Sequence, residues 1–144
     1  MLNSELALKR GELMILGIDP GREKCGLAIM DYEEQVLVQE VLSTTELIKR
    51  INSLAVEYTL DNLVIGDGTL AEEIVHNLES QLNFEIEIIT VDESYSTLEA
   101  RKLYWQQNSR RGWRKLLPTS LQTPPVEIDD YAAIILIKRF LVQN

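Results

Sequence analysis

The stretch Leu13-Met14-Ile15-Leu16-Gly17-Ile18-Asp19, followed by Pro20-Gly21, decides how this chain is read. It is a short, nearly continuous apolar run closed by a turn dipeptide, the pattern of a strand buried on both faces. Its last residue is an acid. A carboxylate at the end of a buried apolar strand risks desolvation unless something pairs with it. Asp19 is therefore both the end of the first element and the first candidate for chemistry.

Downstream, Gly26 to Met30 and Gln35 to Leu42 read as two further strands about the turn-like Asp31-Tyr32-Glu33-Glu34, which together predict an antiparallel meander. The period then becomes helical. Leu47, Ile48, Ile51, Leu54, Ala55 and Tyr58 form one stripe, behind a capping box of Ser43 and Glu46. Leu63 to Gly66 is a short strand. Leu70, Ile74, Val75, Leu78 and Leu82 form a second stripe, with Thr69 and Glu72 as its capping box. Phe84 to Val91 alternates and reads as a fifth strand, and a third helix runs from Ser96, paired with Glu99 at capping-box spacing, to about Gln107. Residues 108–127 are irregular, and Ile128 to Val142 is helical and apolar almost all round. The order βββ-α-β-α-β-α-loop-α predicts an α/β fold with a mixed five-stranded sheet, the antiparallel meander first, and helices on both faces. A ribonuclease H-like fold fits that order. A Rossmann unit does not, because no crossover helices separate the first three strands. Residues 1–12 read as an N-terminal extension, and residues 13–144 as a single domain.

Composition narrows the function. The chain has 144 residues, 45% hydrophobic and 26% charged, as expected of a soluble globular protein. Charges interrupt every apolar run before the roughly 18 residues of a membrane helix, and the N-terminus lacks a signal-peptide pattern. Together with the lone Cys25, these features predict a cytoplasmic protein. The net charge of −9 argues against a generic polyanion binder, but its distribution is uneven. Arg101, Lys102, Arg110, Arg111, Arg114 and Lys115 lie in a stretch without a single acid, and setting those six charges aside leaves the remainder at −15. One basic patch on an acidic body points to a localised anionic partner. Trp113 lies within the patch, and Tyr104 and Trp105 lie just before it. Cations contact phosphates, and exposed aromatics stack on unpaired bases.

Acids recur where elements end: Asp19 after the first strand, Asp92 and Glu93 after the fifth, Asp129 and Asp130 at the last helix. If the strands are parallel neighbours, these groups share one edge. Clustered carboxylates raise one another's pKa unless a hard cation such as Mg²⁺ or Mn²⁺ is present. Each acid also has a plainer role, as a helix cap or a solvated turn residue. Asp67, in Gly66-Asp67-Gly68-Thr69, reads as a turn residue with a ligand role left open. His76 reads as a bystander and Cys25 as packing. No Ser/His/Asp arrangement, Cys/His metal cluster or P-loop is present.

Three segments carry a family resemblance. Ile15 to Gly21 with Gly26-Leu27-Ala28-Ile29, Val91 to Arg101, and Ile128 to Leu136 resemble, in order, three motifs of the YqgF/RuvX family, Holliday-junction-resolvase-like proteins of the ribonuclease H superfamily. The resemblance covers nearly all of residues 13 to 142. It implies an endonuclease, dependent on Mg²⁺ or Mn²⁺, that cuts structured nucleic acid: four-way DNA junctions in recombination, or the precursor of small-subunit ribosomal RNA. It also implies catalytic, metal-binding carboxylates at Asp19, Glu93 and Asp129, with Asp130 a further ligand candidate because it stands where the family usually has Ser. Arg101, Arg110, Arg111, Trp113, Arg114 and Lys115 become the candidate nucleic-acid contacts. Gly66-Asp67-Gly68-Thr69 departs from the family's usual Gly-Leu-Pro loop, which bears on substrate access. The competing expectation is a non-catalytic nucleic-acid-binding module, separated from the enzyme by whether the three carboxylates converge to metal-ligand distances. A nucleotide-binding ATPase fragment is disfavoured, since such enzymes need two domains of this kind. No dimer face is visible, and a homodimer is left open.

Overall fold

The computed structural model describes residues 12–108 and 124–143. The predicted extension, apart from Glu12, lies outside them, as do Arg110, Arg111, Trp113, Arg114 and Lys115. The described chain forms β1 (Leu13–Asp19), β2 (Lys24–Asp31), β3 (Val36–Ser43), a 3₁₀ turn (Thr44–Glu46), α1 (Leu47–Glu57), β4 (Thr59–Gly66), α2 (Ala71–Gln81), β5 (Glu87–Val91), α3 (Ser96–Gln107) and α4 (Asp129–Gln143). The five strands make one sheet in the order β3-β2-β1-β4-β5. β1 pairs antiparallel with β2, and β2 with β3, while β1 and β4 are parallel, as are β4 and β5. The mixed sheet with its leading meander is the one expected from the order of elements.

Alternation along β1 divides the core. Met14, Leu16 and Ile18 face Leu47, Ile51 and Leu54 of α1 and Ile74 and Leu78 of α2. Ile15 faces the opposite side, where Ala28, Met30, Val64 and Val91 meet Ala133, Ile134, Leu136, Ile137 and Phe140 of α4. By the same period of two, Gly17 and Asp19 point to the α4 side. The helix lies close on the strands there because the sheet offers almost no side chain. A β-carbon on Gly17 would stand 2.6 Å from Ile137 Cγ1, and one on Gly26 would stand 1.8 Å from the carbonyl oxygen of Asp129. α3 packs outside α4 through Ala100, Ala132 and Ile135.

Several local expectations are corrected. None of the three capping boxes forms. Ser43 Oγ bonds Thr45 Oγ1 at 2.9 Å, and the intervening 3₁₀ turn makes Glu46 the cap of α1 rather than its third residue. α2 starts one turn position later than Thr69 requires, with Leu70 at its cap. Ser96 is already inside α3 and buried, and the cap falls on Tyr95 at φ 62°. β4 starts at Thr59, earlier than Leu63, because Thr59 and Leu60 pair with Leu13 and Met14 before the register shifts past Asp61. β5 starts at Glu87; Phe84 and Ile86 pack against the core without joining the ladder.

Gly26→Ala tests the close approach of α4. Overpacking usually costs about 1–3 kcal/mol, and here the obstructing atom is backbone, so a loss at or above the upper end, read from urea unfolding, is expected. Ala28→Gly, on the same strand and face, should cost only about 1 kcal/mol.

Candidate carboxylate site

Because β1, β4 and β5 run parallel, their C-terminal ends open on one edge of the sheet. Asp19 ends β1, Asp67 follows β4, and Asp92 and Glu93 follow β5. Asp19 pairs across the ladder with Gly26, and the backbone of Asp129 lies directly over Gly26. The first turn of α4 is thereby delivered beside the end of β1.

Asp92 and Glu93 are adjacent in sequence but face different surroundings. Asp92 is exposed, and its Oδ1 accepts the Ser94 N–H at 3.0 Å, which holds its pKa below the usual carboxylate range. Its carbonyl accepts a 2.6 Å bond from Arg139, which also meets Glu99 at 3.1 Å. Glu93 instead turns inward over the β4 exit: β-carbons on Gly66 and Gly68 would stand 2.9 Å from its Oε2 and 1.7 Å from its Oε1. Its backbone is held on both sides. The Glu93 N–H donates to Asp67 Oδ1 at 3.2 Å, and its carbonyl accepts the Ser96 N–H at 3.0 Å. Burial raises the Glu93 pKa, with further contributions from the charges of Asp67 and Asp92.

Asp19 is the most perturbed of these acids. Burial first, then the charges of Asp129 and Glu93, push its pKa from 3.8 to about 7. Asp129 is also raised, by burial and by Glu127 and Asp130, against the opposing charge of Lys24, which pairs with Glu127. Asp130 Oδ1 accepts the N–H of Tyr131 at 3.0 Å. Asp19, Glu93 and Asp129 thus share one electrostatic environment, contributed by two strand ends and a helix start. The donor set is all oxygen and suits a hard divalent ion in kind. Among the described residues, however, no group of three or more His, Cys, Asp or Glu side chains is arranged to hold an ion.

Of the basic and aromatic candidates within the described chain, Arg101 is half-buried on α3. Tyr104 and Trp105 are each only 9% exposed, and Tyr104 makes edge contacts with Trp105 at 4.9 Å and Tyr131 at 5.5 Å. Tyr104 joins α3 to α4 through Tyr131, and both aromatics are too buried to serve as stacking surfaces, contrary to the idea that they extend the basic patch. His76 is exposed on α2 and Cys25 is buried in the core. What sequence reasoning missed is a cavity of about 760 Å³ beside Asp92, lined by Tyr95, Lys138 and Arg139 among others, with Tyr95 76% exposed. Its walls come from the turn after β5, α3 and α4, segments that no sequence pattern brings together.

The model of one protein family, RuvX, described as Holliday junction resolvase, matches residues 13–143. The chain belongs to the RuvX family. Curated relatives are similar in sequence and length. A candidate pre-16S rRNA nuclease of Sulfurihydrogenibium sp. is 27% identical over 140 residues, covering 88% of each chain. Another candidate pre-16S rRNA nuclease, from Dictyoglomus turgidum, is 24% identical and covers 90% of this chain and 94% of its own. Among solved structures, T. thermophilus RuvC in complex with a Holliday junction substrate superposes with a TM-score of 0.54 at 12% identity, over 92% of this chain and 96% of that one. At that identity the likeness concerns the fold, and the RuvX-family sheet is ribonuclease H-like.

The raised pKa of Asp19 has a consequence for stability. The unfolded carboxyl ionises near 3.8 and the folded one near 7, so folding favours the protonated form. Ionisation therefore costs stability progressively as pH rises from about 4 to about 7. In the presence of chelator, Asp19→Asn should be more stable than wild type at pH 8, by roughly 1–3 kcal/mol after allowance for solvent screening. The difference should vanish near pH 4. Thermal unfolding of both proteins across that range checks it; a pH-independent difference would mean that Asp19 is not held in this environment.

Proposed function

We propose that this RuvX-family chain is a divalent-metal-dependent endonuclease that hydrolyses phosphodiester bonds of structured nucleic acid. The observation carrying the reading is that Asp19, at the end of a central strand, shares one sheet edge with Glu93, over the β4 exit, and with Asp129, whose backbone lies over Gly26. Like charges gathered at a partly buried edge oppose folding, and such a gathering is expected where a cation or a reaction uses it.

In this reading Asp19, Glu93 and Asp129 hold Mg²⁺ or Mn²⁺, and Asp130, one residue further along α4, is an additional ligand candidate. The bound ion would neutralise the carboxylates, activate a water and stabilise the leaving oxygen. The chain itself supplies placement. β1 sets Asp19 at the centre of the sheet edge, α4 brings Asp129 over Gly26, and Glu93 lies over Gly66 and Gly68. Next to them, exposed Tyr95 offers an aromatic face and Lys138 a cation to a nucleic-acid strand, while Arg139 is engaged by Glu99 and the Asp92 carbonyl. Arg110, Arg111, Trp113, Arg114 and Lys115, with half-buried Arg101, are the further nucleic-acid contacts of this reading. The names of the curated relatives make precursor ribosomal RNA one substrate to test, and the RuvC complex makes a four-way DNA junction the other.

The second reading, a binding module without catalysis, is favoured by the lack of an ion-holding group among the described residues. Labelled junction and precursor rRNA, offered with Mg²⁺ or Mn²⁺ to wild type and Asp19→Asn, separate the two. Loss of a metal ligand should lower cleavage at least ~100-fold, beyond what outer-shell changes usually cost. Binding of both substrates with no cutting and no Mn²⁺ uptake would leave the binding module. Independently, converting Arg110, Arg111, Arg114 and Lys115 to Ala should flatten the dependence of log affinity on log salt by up to about 4 units if all four meet duplex phosphates. An unchanged slope would remove this segment from the interface.

A further inference from the structure

We propose that Asp67 is a positioning residue for Glu93, and that Gly66 and Gly68 complete the seat that fixes where the Glu93 carboxylate stands. The inference rests on the nuclease reading only for what Glu93 does. A turn residue after a strand would normally direct its carboxylate to its own loop. Asp67 instead reaches the neighbouring strand exit: its N–H donates to Val91 O at 2.9 Å, and its Oδ1 accepts the Glu93 N–H at 3.2 Å. Those two bonds span the residues on which Glu93 enters the edge. The glycines on either side then clear space for the side chain, since a β-carbon at 68 would overlap Oε1 and one at 66 would press on Oε2 and Cβ. Glycine, an accepting oxygen and glycine thus have separate tasks, and Gly66-Asp67-Gly68 is a cradle for a carboxylate from the adjacent strand. A loop reading Gly-Leu-Pro would lack the accepting side chain, so this chain positions Glu93 by a contact of its own.

The test uses the full chain as wild type, Asp67→Asn, Asp67→Ala and Gly68→Ala, with the thermal midpoint recorded for each. Nuclear Overhauser contacts between the Glu93 γ-protons and the α-protons of residues 66 and 68 report the seat directly. Mn²⁺ affinity from water-proton relaxation, and kcat and KM for cleavage, report its consequence. Asp67→Asn keeps the accepting oxygen and should keep the contacts, with Mn²⁺ affinity and kcat within about threefold of wild type. Asp67→Ala and Gly68→Ala should lose the contacts, with Mn²⁺ affinity and kcat falling about 10–100-fold, the usual range for groups that orient a ligand. KM for nucleic acid should stay within about twofold, because a positioning residue does not touch substrate. Retained contacts in Asp67→Ala overturn the proposal, as do lost contacts with Mn²⁺ affinity and kcat unchanged. An Asp67→Asn protein as impaired as Asp67→Ala would also overturn it, because charge rather than the accepted hydrogen bond would then matter. If wild type neither cuts nor takes up Mn²⁺, the nuclease reading falls, and the Overhauser contacts alone decide whether Asp67 seats Glu93.

Discussion

The close approach of α4 to β1 and β2 is the constraint on which the rest depends. It exists because Gly17 and Gly26 present hydrogen where any other residue would present carbon, and because Ala28 lies between them on the same face. The helix can then bury Ala133, Ile134, Leu136 and Ile137 against the sheet. Its first turn is carried to the end of β1, so the packing that builds half of the core also sets Asp129 beside Asp19. Stability and site geometry come from one contact.

The carboxylate edge pulls the other way. Asp19 is ionised with difficulty, and Glu93 and Asp129 are raised in the same sense. A sequence selected for stability alone would have no reason to bring those groups together. Glu93 is restrained through its backbone, whose N–H and C=O are both engaged, while Arg139 engages the carbonyl of Asp92 and Lys24 opposes the charge of Asp129. The left-handed Tyr95 belongs to the same arrangement. A non-glycine residue there costs about 1 kcal/mol or more, and it caps α3 two residues after Glu93.

The elements that were legible in the sequence were those with a strong period. The apolar run of β1, the helical stripes of α1 and α2, and the apolar α4 each bury a face whose spacing follows from strand or helix geometry. Their order sufficed for the sheet. Capping boxes were not legible: the spacing of Ser43, Thr69 and Ser96 was right, but a 3₁₀ turn, a shifted start and a buried serine displaced each one. Tyr104 and Trp105 looked like part of a binding stretch because they precede basic residues; on the helix both are buried instead, Tyr104 against Tyr131 of α4.

For this protein, sequence by itself determined the class of fold, the family and the short list of acids, because apolar period and motif order are local properties written along one chain. Tertiary structure alone decided what surrounds each of those acids. Asp92 and Glu93 are neighbours in sequence, and the resemblance already chose Glu93; the fold leaves Asp92 exposed against Ser94 and sets Glu93 over Gly66 and Gly68. Asp129 is distinguished by lying over Gly26, two strands away in the fold from the cradle of Glu93. Asp67 changed from a turn residue to a hydrogen-bond partner because β4 and β5 are adjacent and parallel. A carboxylate's role depends on what stands within a few ångströms of it, and that is set by packing between segments far apart in the chain.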